Sequence, residues 1–196
     1  MPRIDNQTFY KKAIERYGHS ARGLNWNSKS SQRVRFEVMY ELLGDELCCS
    51  SVVDAGCGFG DFYLFLQERG KRPRRYLGYD VMDAMLSVAR KKTGQTYLRC
   101  DILRDELDVA DYYIASGSMN ILNRFETHLF IERCFQASRK GFVFNLLKGE
   151  DSSEHFNYWS VEEMVLHVKS FGCEIIVKEG YMEGDFTIFL KKADVC

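Results

Sequence analysis

Residues 51–60 read Ser51-Val52-Val53-Asp54-Ala55-Gly56-Cys57-Gly58-Phe59-Gly60, a short β-prone run that stops in three alternating glycines. A helical pattern follows at once, with Phe62, Phe65 and Leu66 on one side and Gly70 at its end. Glycine takes positive φ without strain and lets a ligand approach the main chain, so a strand, a tight glycine turn and a helix in this order open a ligand-binding α/β sheet.

The alternation continues downstream. Strand patterns at 75–79, 96–100 and 111–115 are each followed by a loop or a helical pattern, and a fifth strand is expected at 141–147. The helices fall at about 82–92 and 124–138. Ser160-Val161-Glu162-Glu163 has capping-box spacing and opens another helix, to about residue 170. The last two strands, 174–178 and 186–191, have no helix between them, only the turn Met182-Glu183-Gly184-Asp185. They must pair as a hairpin, so one of them runs against the rest. The expected fold is α/β: a three-layer αβα sandwich, a mostly parallel seven-stranded sheet with a C-terminal antiparallel hairpin strand.

Two helices precede the first strand. One is expected over 5–18, with Phe9, Ala13, Ile14 and Tyr17 on one side, and one from a cap at Ser31 to Leu43. Residues 1–45 are read as a helical extension or lid, and 46–196 as the ligand-binding domain. No membrane span is expected, because no stretch approaches the roughly 18 apolar residues that one needs. With 45% hydrophobic and 14% aromatic residues the chain has enough apolar surface for a full core. Its net charge of −1 gives a nucleic-acid partner no electrostatic support. Seven cysteines, without C-x-x-C spacing, argue for reduced thiols in the cytoplasm rather than a disulfide framework or a zinc site, and no metal is expected.

Asp54, Asp80 and Asp101 stand at the ends of the first three strands. Each closes an apolar run, where a carboxylate is costly unless paired or bound, and three on one rim point to a shared site. Asp80 lies 24 residues past Gly56, where a carboxylate can accept the two hydroxyls of a ribose. Charge then narrows the ligand. The dinucleotide fingerprint is G-x-G-x-x-G, with a pyrophosphate on the turn. Here Gly60 comes one residue early, Asp61 takes the place of the last glycine, and Asp54 stands just ahead of the turn. Carboxylates there repel a pyrophosphate and favour a cationic ligand. Asp61 itself is read as a helix N-terminal acid that stabilises the dipole.

The run from Val52 to Gly60 resembles motif I, [D/E]-x-G-x-G-x-G, of class I S-adenosylmethionine-dependent methyltransferases, and matches it at every defined position. The order of elements over about residues 50–192 is similar too. The resemblance implies S-adenosyl-L-methionine as cofactor. It implies that Asp54, Ala55, Gly56, Cys57, Gly58 and Gly60 line its methionine part, and that Asp80 binds the ribose. By the same resemblance Val81 or Met82 flank the adenine, Asp101 and Ile102 meet its amino group and ring, and Ser116 and Gly117 lie beside the methyl group. It makes Cys57 a small packing residue.

For the acceptor the sequence offers less. Ser116-Gly117-Ser118-Met119 is not the [D/N/S]-P-P-[Y/F] run of enzymes that methylate amide or exocyclic base nitrogens, so a small-molecule acceptor is expected. Two segments are expected to cover it: the N-terminal region, with Tyr10, Tyr17, Arg22, Trp26 and Arg35, and the loop 149–159, with Phe156 and Trp159. Aromatics there exclude water and attract a sulfonium, and an arginine can hold a carboxylate. If a base is needed, His155, Tyr158 and His19 are the candidates. Two other readings are open: a nicotinamide-dependent oxidoreductase, against which Asp54 and the early Gly60 count, and a non-catalytic cofactor-binding or scaffold member of the same fold.

Overall fold

The computed structural model describes residues 29–149 and 156–193. The expected helix over 5–18 lies outside them, as do Tyr10, Tyr17, His19, Arg22, Trp26 and His155. The described chain begins with α1 (Lys29–Leu43) and a 3-10 turn (Asp45–Cys49), then runs β1 (Ser51–Ala55), α2 (Asp61–Glu68), β2 (Arg75–Asp80), α3 (Asp83–Thr93) and β3 (Thr96–Arg99). It continues through β4 (Ala110–Ala115), α4 (Arg124–Ala137), β5 (Ser138–Lys148), β6 (Tyr158–Trp159), α5 (Val161–Val168), β7 (Glu174–Lys178) and β8 (Asp185–Lys191).

The strands form one sheet in the order β3-β2-β1-β4-β5-β8-β7, with β6 added beside the end of β5. All pairings from β3 to β5 are parallel, and β8 lies antiparallel between β5 and β7. The expected mixed sheet and terminal hairpin are therefore present. The count differs by one, because β6 is two residues long, too short to show a period of two in sequence.

Strand alternation divides the interior in two. Val53, Tyr113, Phe142, Phe144 and Ile188 face a cluster filled by Phe130, Ile131 and Cys134 of α4 and by Met164 and Val168 of α5. Val52, Tyr112, Ile114, Val143 and Phe189 face the opposite cluster, filled by Phe36 and Met39 of α1, Phe62 and Phe65 of α2, and Leu86 of α3. Helix α1 thus shares a core with the domain that follows it. Helix α4 opens with a full capping box between Asn123 and Glu126, and the Ser160 side chain caps α5 through the Glu163 N–H.

Chain order moves outward from β1 to β3 and returns to β4 on the other side of β1. That reversal opens a crevice beyond the carboxyl ends of β1 and β4. The β1–β2 pair leaves little room beside it: a Cβ on Gly78 would lie 2.3 Å from the Tyr97 ring and 2.9 Å from the Cys57 sulfur.

Trp159 is an expectation that the structure corrects. It is not at a cavity mouth but fully buried, because β6 pairs with β5 and turns the indole into the α4–α5 layer. There it meets His128, which stacks on His167 with ring centroids 3.6 Å apart, while the Arg124 guanidinium covers the indole. Burial lowers the pKa of both histidines, helped at His128 by the neighbouring His167 and Arg124 and opposed by Glu163; Glu132 opposes it at His167.

Gly78→Ala is expected to cost about 1–3 kcal/mol of stability through overpacking, read as a lower urea midpoint with an unchanged slope. The stacked histidines carry a sign. With folded pKa values below the unfolded ones, their protonation favours the unfolded chain, so stability is lost as pH falls through about 6.5. Melting temperature should fall between about pH 7 and pH 5, and His167→Phe should shrink that fall.

Candidate active site

The turn after β1 is pinned to the neighbouring strand: the N–H groups of Gly56 and Cys57 both donate to the carbonyl of Tyr79, at 2.8 and 2.9 Å. Gly56 sits at φ 85°, and a Cβ there would lie 2.2 Å from Ser118 Cβ. The turn can therefore close against the loop after β4 only with glycine. The two segments form the floor of a cavity of about 480 Å³.

Carboxylates ring this floor. Asp80 takes the Gly58 N–H on one oxygen at 3.0 Å and the Met82 N–H on the other at 2.9 Å, with the Val81 N–H as a further backbone donor, which fixes its plane. Asp54 is 3% exposed and accepts a hydrogen bond from the Tyr76 hydroxyl. Burial pushes its pKa up to about 7; the Tyr76 bond opposes the shift, and the charges of Asp80 and Asp61 add to it. Asp101 accepts the Leu103 N–H and pairs with Arg104. Asp61 also lies on the wall, where it accepts from Gln32 and faces Lys92 at 3.7 Å.

Most residues expected at a cofactor line this cavity: Asp54, Gly56, Cys57, Gly58, Asp80, Val81, Met82, Asp101, Ile102, Ser116 and Gly117. Ala55 and Gly60 do not. The Ala55 side chain alternates into the α4 face of the sheet, and Gly60 caps α2 in a left-handed conformation, beneath the Tyr97 hydroxyl. Cys57 is buried, and that burial holds its thiol well above the ordinary range, which leaves it a packing group.

Above the floor the wall is made by Gln32, Arg35 and Phe36 of α1, by Phe156 and Tyr158, and by Met182, Glu183 and Gly184 before β8. Arg35 is held differently from the expectation of a waiting carboxylate-binding group. Its guanidinium pairs with Asp185, the Nε at 2.6 Å, and both side chains are buried. Asp185 also accepts from Tyr181 and from the Asn145 amide, whose carbonyl oxygen takes the Gly117 N–H at 3.0 Å. A buried polar chain thus runs from α1 through β8 and β5 to the loop after β4.

Sequence reasoning did not find Ser118, Asn120, Asn145, Glu183 or Asp185 as site residues. Ser118 had a signal, since it directly follows Ser116-Gly117. The pairing of Asp185 with Arg35, 150 positions apart, had none. Three side-chain atoms on the wall, Ser116 Oγ, Ser118 Oγ and Asn120 Oδ1, are buried without a hydrogen-bond partner.

Residues 52–141 match the family model of a methyltransferase domain. A malonyl-[acyl-carrier protein] O-methyltransferase of Hamiltonella defensa subsp. Acyrthosiphon pisum is 34% identical over 110 residues, which are 56% of this chain and 39% of that protein. The chain thus spans well under half of that curated relative. Magnesium protoporphyrin IX methyltransferase of Synechocystis PCC 6803, with S-adenosylmethionine bound, superposes with a TM-score of 0.73 at 14% identity, over 98% of this chain and 100% of that one. An S-adenosylmethionine-dependent methyltransferase of Mesorhizobium loti gives 0.62 at 17% identity, over 81% and 98%. Residues 52–141 are thus similar in sequence to a methyltransferase domain, and the fold around them is the one these solved methyltransferases share.

Proposed function

We propose that this chain transfers a methyl group from S-adenosylmethionine to a small-molecule acceptor bound in the same cavity. The observation that carries the reading is a glycine cradle, closed to any side chain at Gly56, ringed by the carboxylates of Asp54, Asp80 and Asp101. A pyrophosphate would meet those charges at close range, which weighs against a nicotinamide cofactor. A sulfonium and an α-ammonium group are attracted by them. The residues present fit the cofactor. Asp80, its plane fixed by backbone N–H groups, would take the ribose hydroxyls; Val81, Met82 and Ile102 would supply apolar wall for the adenine, and Asp101 would take its amino group. Asp54, Gly58, Ser116 and Gly117 are left for the methionine part.

S-adenosylmethionine supplies a methyl group already activated by the sulfonium. The chain's task is then to align the acceptor, hold it at about 3–3.5 Å from that carbon, and exclude water. Phe156 and Tyr158 wall the cavity. Tyr158 is the one base candidate among the described residues, and nothing in its contacts singles it out. Six described cysteines are unpaired, which supports a reducing, cytoplasmic setting.

Calorimetry with S-adenosylmethionine, S-adenosylhomocysteine and NAD tests the cofactor: the first two should bind and NAD should not, and failure of both methionine-derived ligands overturns the reading. A methyl-transfer assay over a metabolite panel separates an enzyme from a binding module of the same fold. Asp80→Ala should weaken S-adenosylhomocysteine at least about tenfold, roughly 1.4 kcal/mol, through the lost charged hydrogen bonds. Asp54 adds a pH dependence. A cationic ligand prefers its ionised form, so binding releases the proton that Asp54 holds below about pH 7. Affinity for S-adenosylmethionine should therefore rise about tenfold from about pH 6 to about pH 8 and then level off. In Asp54→Asn, binding should be weaker and that component of the pH dependence absent.

A further inference from the structure

An open sheet has two edges, and each edge strand carries a row of main-chain N–H and C=O groups without a ladder partner. Here the edges are β3 and β7, and they are built differently. β3 is four residues long, and the Arg90 guanidinium of α3 takes the carbonyl of Tyr97, so this edge is partly capped. β7 pairs with β8 over all five of its residues without a register shift. Among the described residues, no strand or turn hydrogen-bonds to its outer side.

The β7 sequence, Glu174-Ile175-Ile176-Val177-Lys178, contains no proline and no bulge, two devices by which edges avoid pairing. Its three aliphatic side chains are only partly buried: Ile175 and Val177 lie against the α4–α5 layer, and Ile176 lies against the α1 side. Its two charges are exposed, opposite in sign and at opposite ends. Chain direction then decides what a second β7 would meet. In a parallel, in-register pair, glutamate would face glutamate and lysine would face lysine, which is destabilising. In an antiparallel pair centred on Ile176, Glu174 of each copy faces Lys178 of the other, Ile175 faces Val177, and Ile176 faces itself. The strand is thus complementary to itself about a two-fold axis. Glu174 already lies opposite Lys191 of β8, so the new contact would set its carboxylate between two lysines.

We propose that two copies of this chain associate through β7, antiparallel and centred on Ile176, so that the two sheets run on as one. The charge order that matches Glu174-to-Lys178 in the antiparallel sense is its own. The contact is one strand wide, below the roughly 1,200 Å² of a stable interface, so the dimer is reversible, with a Kd on the order of 10 μM. It uses up the β7 edge of both copies, and the remaining edge is the short, capped β3, so assembly stops at two. Neither the dimer nor its test depends on the methyltransferase reading.

Sedimentation velocity of the full chain over about 1–300 μM reads the association. The wild type should pass from monomer to dimer across that range, and its β7 amides should exchange more slowly with solvent as concentration rises. Glu174→Lys sets lysine against lysine at both ends of the contact, and Lys178→Glu sets glutamate against glutamate; each should weaken the dimer at least about tenfold. An equimolar mixture of the two variants opposes the lysines of one copy to the glutamates of the other, and should associate at least about tenfold more tightly than either variant alone. Melting temperature at the lowest concentration shows whether each monomer is folded. A wild type that stays monomeric to about 300 μM overturns the proposal. So does a dimer that neither variant weakens, or a mixture that associates no better than its components. β7 amides already fully protected in the monomer would mean that another segment holds the edge, and would overturn it as well.

Discussion

The site depends on one steric constraint: the turn after β1 and the loop after β4 approach so closely that no side chain fits between Gly56 and Ser118. That contact brings the ends of the two central strands together at the point where strand order reverses. The main-chain bonds from Gly56 and Cys57 to Tyr79 tie the same turn to β2, so Asp80 is delivered to the rim by the backbone rather than by its own side-chain packing. The floor of the cavity is therefore a property of the sheet. The wall comes from elements that join the sheet late or from its flank: α1, β6 and the turn before β8.

Electrostatics reinforces this division. Burial resists the ionisation of Asp54, the hydrogen bond from Tyr76 opposes that effect, and the charges of Asp80 and Asp61 add to it. A cation bound there offsets that desolvation, which makes the ligand's charge part of its recognition. At the other end Arg35, the one lining arginine among the described residues, is paired with Asp185.

Local signals in the chain were strong where function depends on backbone shape. Ser51–Ala55 as a strand, the helix opening at Asp61 and the cap at Ser160 are all legible because glycine, alternation and capping act within a few residues. Asp54, Asp80 and Asp101 were legible because each closes an apolar run. What could not be read depends on tertiary pairing. Trp159 looks like a lid aromatic until a two-residue strand turns it inward. Arg35 looks like an anion-binding group until the far end of the chain provides Asp185. Ala55 and Gly60 belong to the motif by position, yet one faces the core and the other caps a helix. A motif marks the segment, and only the pleat and the turn decide which of its residues look outward.

The antiparallel insertion of β8 has a consequence for how the chain is made. β8 lies between β5 and β7, and Asp185 at its start holds Arg35 in α1, so a late strand completes an arrangement begun 150 positions earlier. Until residues 185–191 leave the ribosome, β5 presents an unpaired edge that includes Phe142, Val143 and Phe144, all fully buried in the finished protein. At about 5–20 residues per second, the roughly 40 residues from β5 to β8 keep that edge open for some seconds of synthesis. The nascent chain is most exposed to aggregation in that interval, and truncation before β8 leaves it there permanently.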